Sequence, residues 1–320
     1  MKPVNFFVVC LFLSAAKIIS GQNLAVNAGE KETIQIQWLF QFGEMGTDTS
    51  QFKHPQAISV DPEGAIYICD TDNHRIQKFN ARGKLMRVIG GFGWHQEQFY
   101  QPYDIHARST LDVFIADYQN QRVERYDREL NYISSLYSKD TWDEKLQFTR
   151  PIGIAFSHQR ELFIIDDENS RVTKINSYGE PEMQFGDFDW GGGQLKRARQ
   201  IEIASDDRIF ISDVAANAIV VFDYFGNFLT TWGEGLLMRP EGIFWDESGL
   251  LFVADTGNHR FVIFNTRGEL LISTENIPEQ GPALLEPTDI AFYQQQIYVL
   301  DAAKACVQVY SLKEGRGNNK

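Results

Sequence analysis

The sequence predicts an all-β fold, a six-bladed β-propeller of four-stranded antiparallel blades closed by the N-terminal strand completing the last blade. Three observations carry this prediction. An apolar run ending in aspartate returns six times, at Asp70, Asp117, Asp166, Asp213, Asp255 and Asp301, in steps of 42 to 49 residues. Within a copy, four short segments rich in β-branched and aromatic residues alternate with turn formers, and no helical period intervenes. One four-stranded sheet cannot bury both of its faces, so neighbouring sheets must stack around a common axis.

The elements follow in order. Met1 and Lys2 precede an apolar run over residues 6–16, and Lys17 leads into small and polar residues at Ser20, Gly21 and Gln22. This pattern reads as a signal peptide over residues 1–20, because the run is far shorter than the roughly 20 apolar residues a membrane-spanning helix needs. It places the chain in a secreted or periplasmic setting. Residues 21–33 read as a linker. Residues 34–42 form a strand ending in Phe42-Gly43, which matches Phe185-Gly186 and Trp232-Gly233 at the ends of outer strands. In the first copy the strands fall at 57–60, 65–69, 75–79 and 85–89, separated by Asp61-Pro62-Glu63-Gly64, Asp72-Asn73 and Arg82-Gly83. Those residues form turns because glycine reaches left-handed backbone and Asp or Asn bonds its own chain. The last copy ends at its third segment, 307–310, so 34–42 supplies the missing outer strand and closes two open edges at once. The propeller therefore occupies 34–311, and 312–320 reads as a polar tail.

A proline register runs through the copies: Pro55, Pro102, Pro151 and Pro240 stand fifteen residues before the aspartate and Pro287 fourteen, with Ala198 in the same slot of copy four. Asn73, Asn120, Asn169 and Asn258 follow the aspartate by three residues and Arg75, Arg122, Arg171 and Arg260 by five, while copies four and six lack both. The fullest forms are Asp70-Thr71-Asp72-Asn73-His74-Arg75 and Asp255-Thr256-Gly257-Asn258-His259-Arg260. On these residues the chain resembles the NHL-repeat six-bladed β-propeller family, in its secreted or periplasmic form. The resemblance implies the fold and leaves the activity open, because function lives in sites grafted on a fold. Residues repeated in most blades read as scaffold, since a reacting constellation is asymmetric.

Composition narrows the functions. Thirty Lys plus Arg against 43 Asp plus Glu gives a net charge of −13, which opposes phosphate backbones and anionic lipid. No nucleic acid and no membrane span after leader cleavage are expected, and the chain reads as a monomer. Cys69 and Cys306 are the two cysteines outside the leader, too few for a disulfide scaffold or a thiolate zinc module. Histidine does not follow any blade proline: the residues there are Gln56, Tyr103, Ile152, Glu241 and Thr288. The resemblance to peptide-amidating lyases, whose zinc histidines occupy that slot, thus lacks its ligands. No catalytic residue and no metal ligand is assigned, and no cofactor is expected, with a divalent cation in the central channel kept as an alternative.

The candidate ligand-binding residues are Trp94, His95, Tyr103, Asp104, Trp142, Trp190, Glu241 and Asp289. Tyr103, Asp104, Glu241 and Asp289 begin innermost strands at one channel mouth. Trp94, His95, Trp142 and Trp190 lie in the connections leading into those strands, which emerge on the same face, and aromatic side chains there suit a recognition surface. The expected function is non-catalytic binding or scaffolding toward a protein, peptide or glycan. A metal-dependent lyase or lactonase-like hydrolase is the first alternative, and RNA binding of the tripartite-motif NHL kind the second.

Overall fold

The computed structural model describes residues 10–11, 32–109, 111–187, 192–274 and 281–316. Six antiparallel sheets make the ring. From the axis outward, blade 1 runs Ala57–Val60, Ile66–Asp70, Arg75–Phe79 and Leu85–Gly90; blade 2 runs Pro102–His106, Asp112–Asp117, Arg122–Asp127 and Tyr132–Tyr137. Blade 3 begins at Pro151–Phe156, blade 4 at Ala198–Ile203, blade 5 at Pro240–Trp245 and blade 6 at Pro287–Tyr293.

Closure joins the two ends of the chain. Glu32–Phe42 pairs antiparallel with Cys306–Arg316 as the outer strand of blade 6, in a register that sets Trp38 against Tyr310 and Phe42 against Val307. The pairing extends past both limits read from the sequence, 34 and 311. A two-residue strand, Cys10–Leu11, pairs with Glu32 and Thr33 beyond it. The largest apolar cluster straddles this seam, with Ile36 of the closing strand, Phe261 of blade 5, Tyr298 of blade 6 and Ile68 of blade 1 all buried in it. Opening the ring would expose that cluster together with two sheet edges.

The repeat signature acts as an internal clamp. Asp117 is fully buried, accepts the backbone N–H of Tyr100 at 2.8 Å and binds Asn120 and Arg122 at 2.7 and 2.9 Å. Arg122 then donates to the carbonyls of His95 and Gln98 at 3.1 and 2.6 Å. Asp70 and Asp255 do the same with Arg75 and Arg260. Each guanidinium thus pins the loop entering its own blade. His74 and His259 sit at φ of 55° in the left-handed turn that follows, and His74 Nδ1 accepts the N–H of Gln101 at 3.1 Å. Both signature histidines are built into the scaffold. Cys69 and Cys306 are buried free thiols. Among the described residues, no helix is long and apolar enough to cross a membrane.

Candidate functional site

Proline fits the first residue of an innermost strand because it gives up an N–H the ladder does not need there. Directly after it the ladder slips: Pro102 faces Asp117 and Asp104 faces Ala116, leaving Tyr103 in a bulge, with matching irregularities after Pro151, Ala198, Pro240 and Pro287. A bulge re-aims its side chain. The consequence is a ring at one end of the channel with one residue from each blade: Gln56, Tyr103, Ile152, Arg199, Glu241 and Thr288. These six line a cavity of about 260 Å³ together with rim residues that include His54, Tyr118, Asp167, Arg197, Arg239 and Glu286.

The mouth is polar and internally paired. Arg199 lies 4.5 Å over the ring of Tyr103 and pairs with Glu241 at 3.5 Å and with the Gln56 amide oxygen. Arg239 binds Glu241 at 3.2 Å and Glu286 at 3.0 Å. The Gln56 amide nitrogen meets His54 Nδ1 at 2.9 Å. Tyr118 packs 5.0 Å from Tyr103 and donates to Asp167 at 2.7 Å; burial and that carboxylate push its phenol up to about 12. Arg197 is exposed on the rim with no side-chain hydrogen bond or ion pair among the described residues.

One layer deeper the blades alternate. Asp104 of blade 2, Gln200 of blade 4 and Asp289 of blade 6 alternate around the axis with Gly153, Gly242 and Ala57 of blades 3, 5 and 1. Each long side chain reaches the next blade: Asp104 accepts the N–H of Ile154 at 2.7 Å, Asp289 that of Ile58 at 2.7 Å, and Gln200 that of Ile243. The Gln200 amide also donates to Asp104 at 3.4 Å and Asp289 at 3.2 Å, tying the three together. Glycine at 242 is required by this closeness, because a Cβ would lie 2.3 Å from the Asp289 backbone. Burial pushes Asp104 up to about 6, and burial with the neighbouring Asp104 charge raises Asp289 well above the usual carboxylate range. At the far end Arg108 crosses to Glu202 at 2.6 Å and to the Trp245 carbonyl at 2.8 Å. Burial and Arg108 hold His106 down to about 3.

The residues singled out from the sequence thus separate into five groups. Tyr103 and Glu241 line the mouth cavity, whereas Asp104 and Asp289 form its floor and are engaged by backbone donors. Trp94 is 66% exposed beside His95, near a cluster of Phe92, Tyr100 and His74 with ring centroids 5.0 to 5.7 Å apart. Trp142 is buried against Phe148 and donates to Glu180 at 2.8 Å, so it packs on its own blade. Trp190 lies outside the described residues. Sequence reasoning missed Arg199, Gln200, Tyr118 and Arg239 as mouth or floor residues. Arg199 was findable, since it follows Ala198 in the proline slot; Tyr118 and Asp167 follow the blade aspartates.

This donor set does not suit a divalent cation. Two guanidiniums hold Glu241, and backbone and amide N–H groups hold Asp104 and Asp289. Among the described residues, no group of three or more His, Cys, Asp or Glu side chains is placed to ligate one.

Comparison with known proteins agrees with this architecture. The NHL repeat family matches residues 52–79, which span most of blade 1. This is a six-bladed propeller whose first blade carries an NHL repeat. Over 161 residues it is 23% identical to a probable peptidyl-alpha-hydroxyglycine alpha-amidating lyase of Caenorhabditis elegans, covering 48% of this chain and 43% of that protein. Over 158 residues it is 25% identical to NHL repeat-containing protein 3 of Mus musculus, covering 48% and 44%. The matches span less than half the length of these relatives. Among solved structures, virginiamycin B lyase from Staphylococcus aureus superposes with a TM-score of 0.60 at 15% identity, over 88% of this chain and all of that one, a likeness of fold alone.

Proposed function

We propose that the protein is an extracytoplasmic binding propeller that engages a protein, peptide or glycan through the mouth face, without a bound metal. One observation carries the reading: six equivalent positions present six different side chains around a polar cavity, on the face that also bears the exposed Phe92, Trp94 and Tyr100. Variation on a uniform frame is what a recognition surface needs, with aromatic anchors beside a polar rim. The leader assigned to residues 1–20 supports placement outside the cytoplasm. N-terminal sequencing of exported protein tests it, and a first residue near position 21 is expected. Capture of ligands from peptide and glycan arrays by the purified protein, lost on Trp94→Ala, tests the binding role; a Trp94→Ala protein that captures them unchanged would count against this surface.

A second reading draws support from the likeness to the amidating lyase, namely lyase or hydrolase chemistry at the same mouth. Metal analysis of the purified protein, with turnover of α-hydroxyglycine peptides, separates the two. A stoichiometric metal with turnover would replace the binding reading by the enzyme.

A further inference from the structure

We propose that the mouth face recognises an acidic peptide segment, its carboxylates set among a ring of basic side chains and an adjacent apolar residue seated on the Phe92–Trp94–Tyr100 patch. The inference rests on the binding reading above and names the partner's chemistry. The chain is acidic overall, yet the two residues preceding the inner-strand proline slot are Lys53 and His54 in blade 1, Arg150 in blade 3, Lys196 and Arg197 in blade 4, and Arg239 in blade 5. The one acid in these slots is Glu286 of blade 6. Blades 1 and 4 stand opposite each other in a six-bladed ring, so positive charge brackets the mouth. Lys53, Lys196 and Arg197 are exposed, with no side-chain hydrogen bond or ion pair among the described residues, and so remain available to a partner's carboxylates.

Lys53, Arg150 and Lys196 lie outside the lining of the cavity of about 260 Å³ that Arg197 and Arg239 share, so the set fits a ligand with several spaced charges better than one small anion. It is also interrupted. Asp167, Glu168, Glu241 and Glu286 stand between the basic groups, and two of these acids are held by Arg239. A nucleic acid or a sulfated glycan carries a continuous ladder of charge that would meet those carboxylates. An acidic peptide presents separated carboxylates, with backbone N–H groups between them to bond Asp167 and Glu286. Its apolar residue would find three exposed rings beside the mouth, the composition of an interface anchor.

The test uses the full exported chain and a fluorescein-labelled, terminally capped dodecapeptide of alternating Glu and Ser with one central Phe, read by fluorescence anisotropy. Expected are saturable binding that weakens about tenfold between 50 and 200 mM salt and loss of at least about tenfold affinity in a Lys196→Glu/Arg197→Glu variant, which changes two exposed side chains and should leave the melting temperature unchanged. No binding, or equal binding of the Lys-for-Glu peptide, overturns the proposal. Tighter binding of oligouridylate or of a heparin oligosaccharide than of the acidic peptide also overturns it. Array ligands that are neutral or basic, that are lost on Trp94→Ala and that ignore the double reversal, overturn the acidic assignment while leaving the binding reading in place. Array silence accompanied by metal-linked turnover removes both.

Discussion

Two rings of six residues, contributed by equivalent positions of every blade, are built on opposite rules. The aspartates that end the second strands are identical and fully buried, while the residues following the proline slot, one strand inward, are Gln56, Tyr103, Ile152, Arg199, Glu241 and Thr288 and differ in every blade. The first ring meets the same demand six times. Each aspartate accepts N–H groups of the chain entering its own blade: Lys53 at Asp70, Tyr100 at Asp117, Arg150 at Asp166, Lys196 at Asp213, Met238 at Asp255 and Leu285 at Asp301. The second ring faces a shared space, where each residue is free to differ. Uniformity here reports packing, and diversity reports the surface available to a ligand.

The comparison breaks first at Asp117. Replacing it by alanine removes one of the two fully buried carboxylates that Arg122, itself only 2% exposed, holds, leaving Glu124 at 2.8 Å, and frees the N–H groups of Tyr100 and Asn120. A loss of about 3–5 kcal/mol is expected, the range for breaking a buried ion pair, read from the urea midpoint. A cost under about 1 kcal/mol would show that the clamp contributes geometry and little stability.

The floor residue Asp104 should behave in the opposite sense. Its folded pKa of about 6 lies above the unfolded value near 3.8, so the folded state holds a proton that the unfolded chain has released. Stability from this group is therefore lost as pH rises from about 4 through about 6. Asp104→Asn keeps an acceptor for Ile154 and removes the buried charge, so at pH 7 it should be more stable than the parent by up to about 3 kcal/mol. The gap should close below about pH 4. Parallel denaturation curves at pH 4 and 7 check both the sign and the window, and a variant less stable than the parent at pH 7 would mean that the ionised carboxylate is favoured where it stands.

How far the sequence disclosed these features follows from the same contrast. Ring closure, the four-strand blades and the scaffold role of Asp117, Arg122 and His74 were legible, because a requirement repeated at fixed spacing leaves a periodic trace. The mouth was legible in part: Tyr103 and Glu241 were marked by their prolines, while Arg199 hid behind Ala198, where the proline itself is absent. The roles of Asp104 and Asp289 were not readable. Whether a carboxylate at the start of an inner strand faces solvent or crosses to Ile154 or Ile58 depends on where the adjoining blade, remote in sequence, sets its backbone N–H. Trp142 failed as a surface candidate for a similar reason, since its partner Glu180 lies 38 residues on.

A smaller effect sharpens the uniform ring. Blade 4 lacks both the Asn and the Arg of the signature, and Asp213 instead accepts the N–H groups of Lys196, Arg197, Ala215 and Ala216 at 2.6 to 3.1 Å. Both carboxylate oxygens are used, Oδ2 by the N–H of Lys196 and Oδ1 by the other three, so an asparagine keeps one acceptor and sets its NH2 group against an N–H donor. Asp213→Asn leaves one of these donors unpaired and should cost about 1–3 kcal/mol, still under Asp117→Ala, and an equal cost in the two blades would show that backbone capping outweighs the ion pair.

The varied ring should give the smallest change in stability. Arg197 has no side-chain hydrogen bond or ion pair among the described residues, and the Tyr103 hydroxyl has no hydrogen-bond partner among them, although its ring is held by Arg199 and Tyr118. Arg197→Gln and Tyr103→Phe leave those packing contacts in place, so each should shift the urea midpoint by no more than about 0.5 kcal/mol. The same two changes alter the donors offered to anything entering the cavity, so ligand affinity should respond where stability does not. If instead stability falls by as much as in the aspartate ring while affinity holds, the mouth is scaffold after all, and the difference between the rings lies in which packing problem each blade solves.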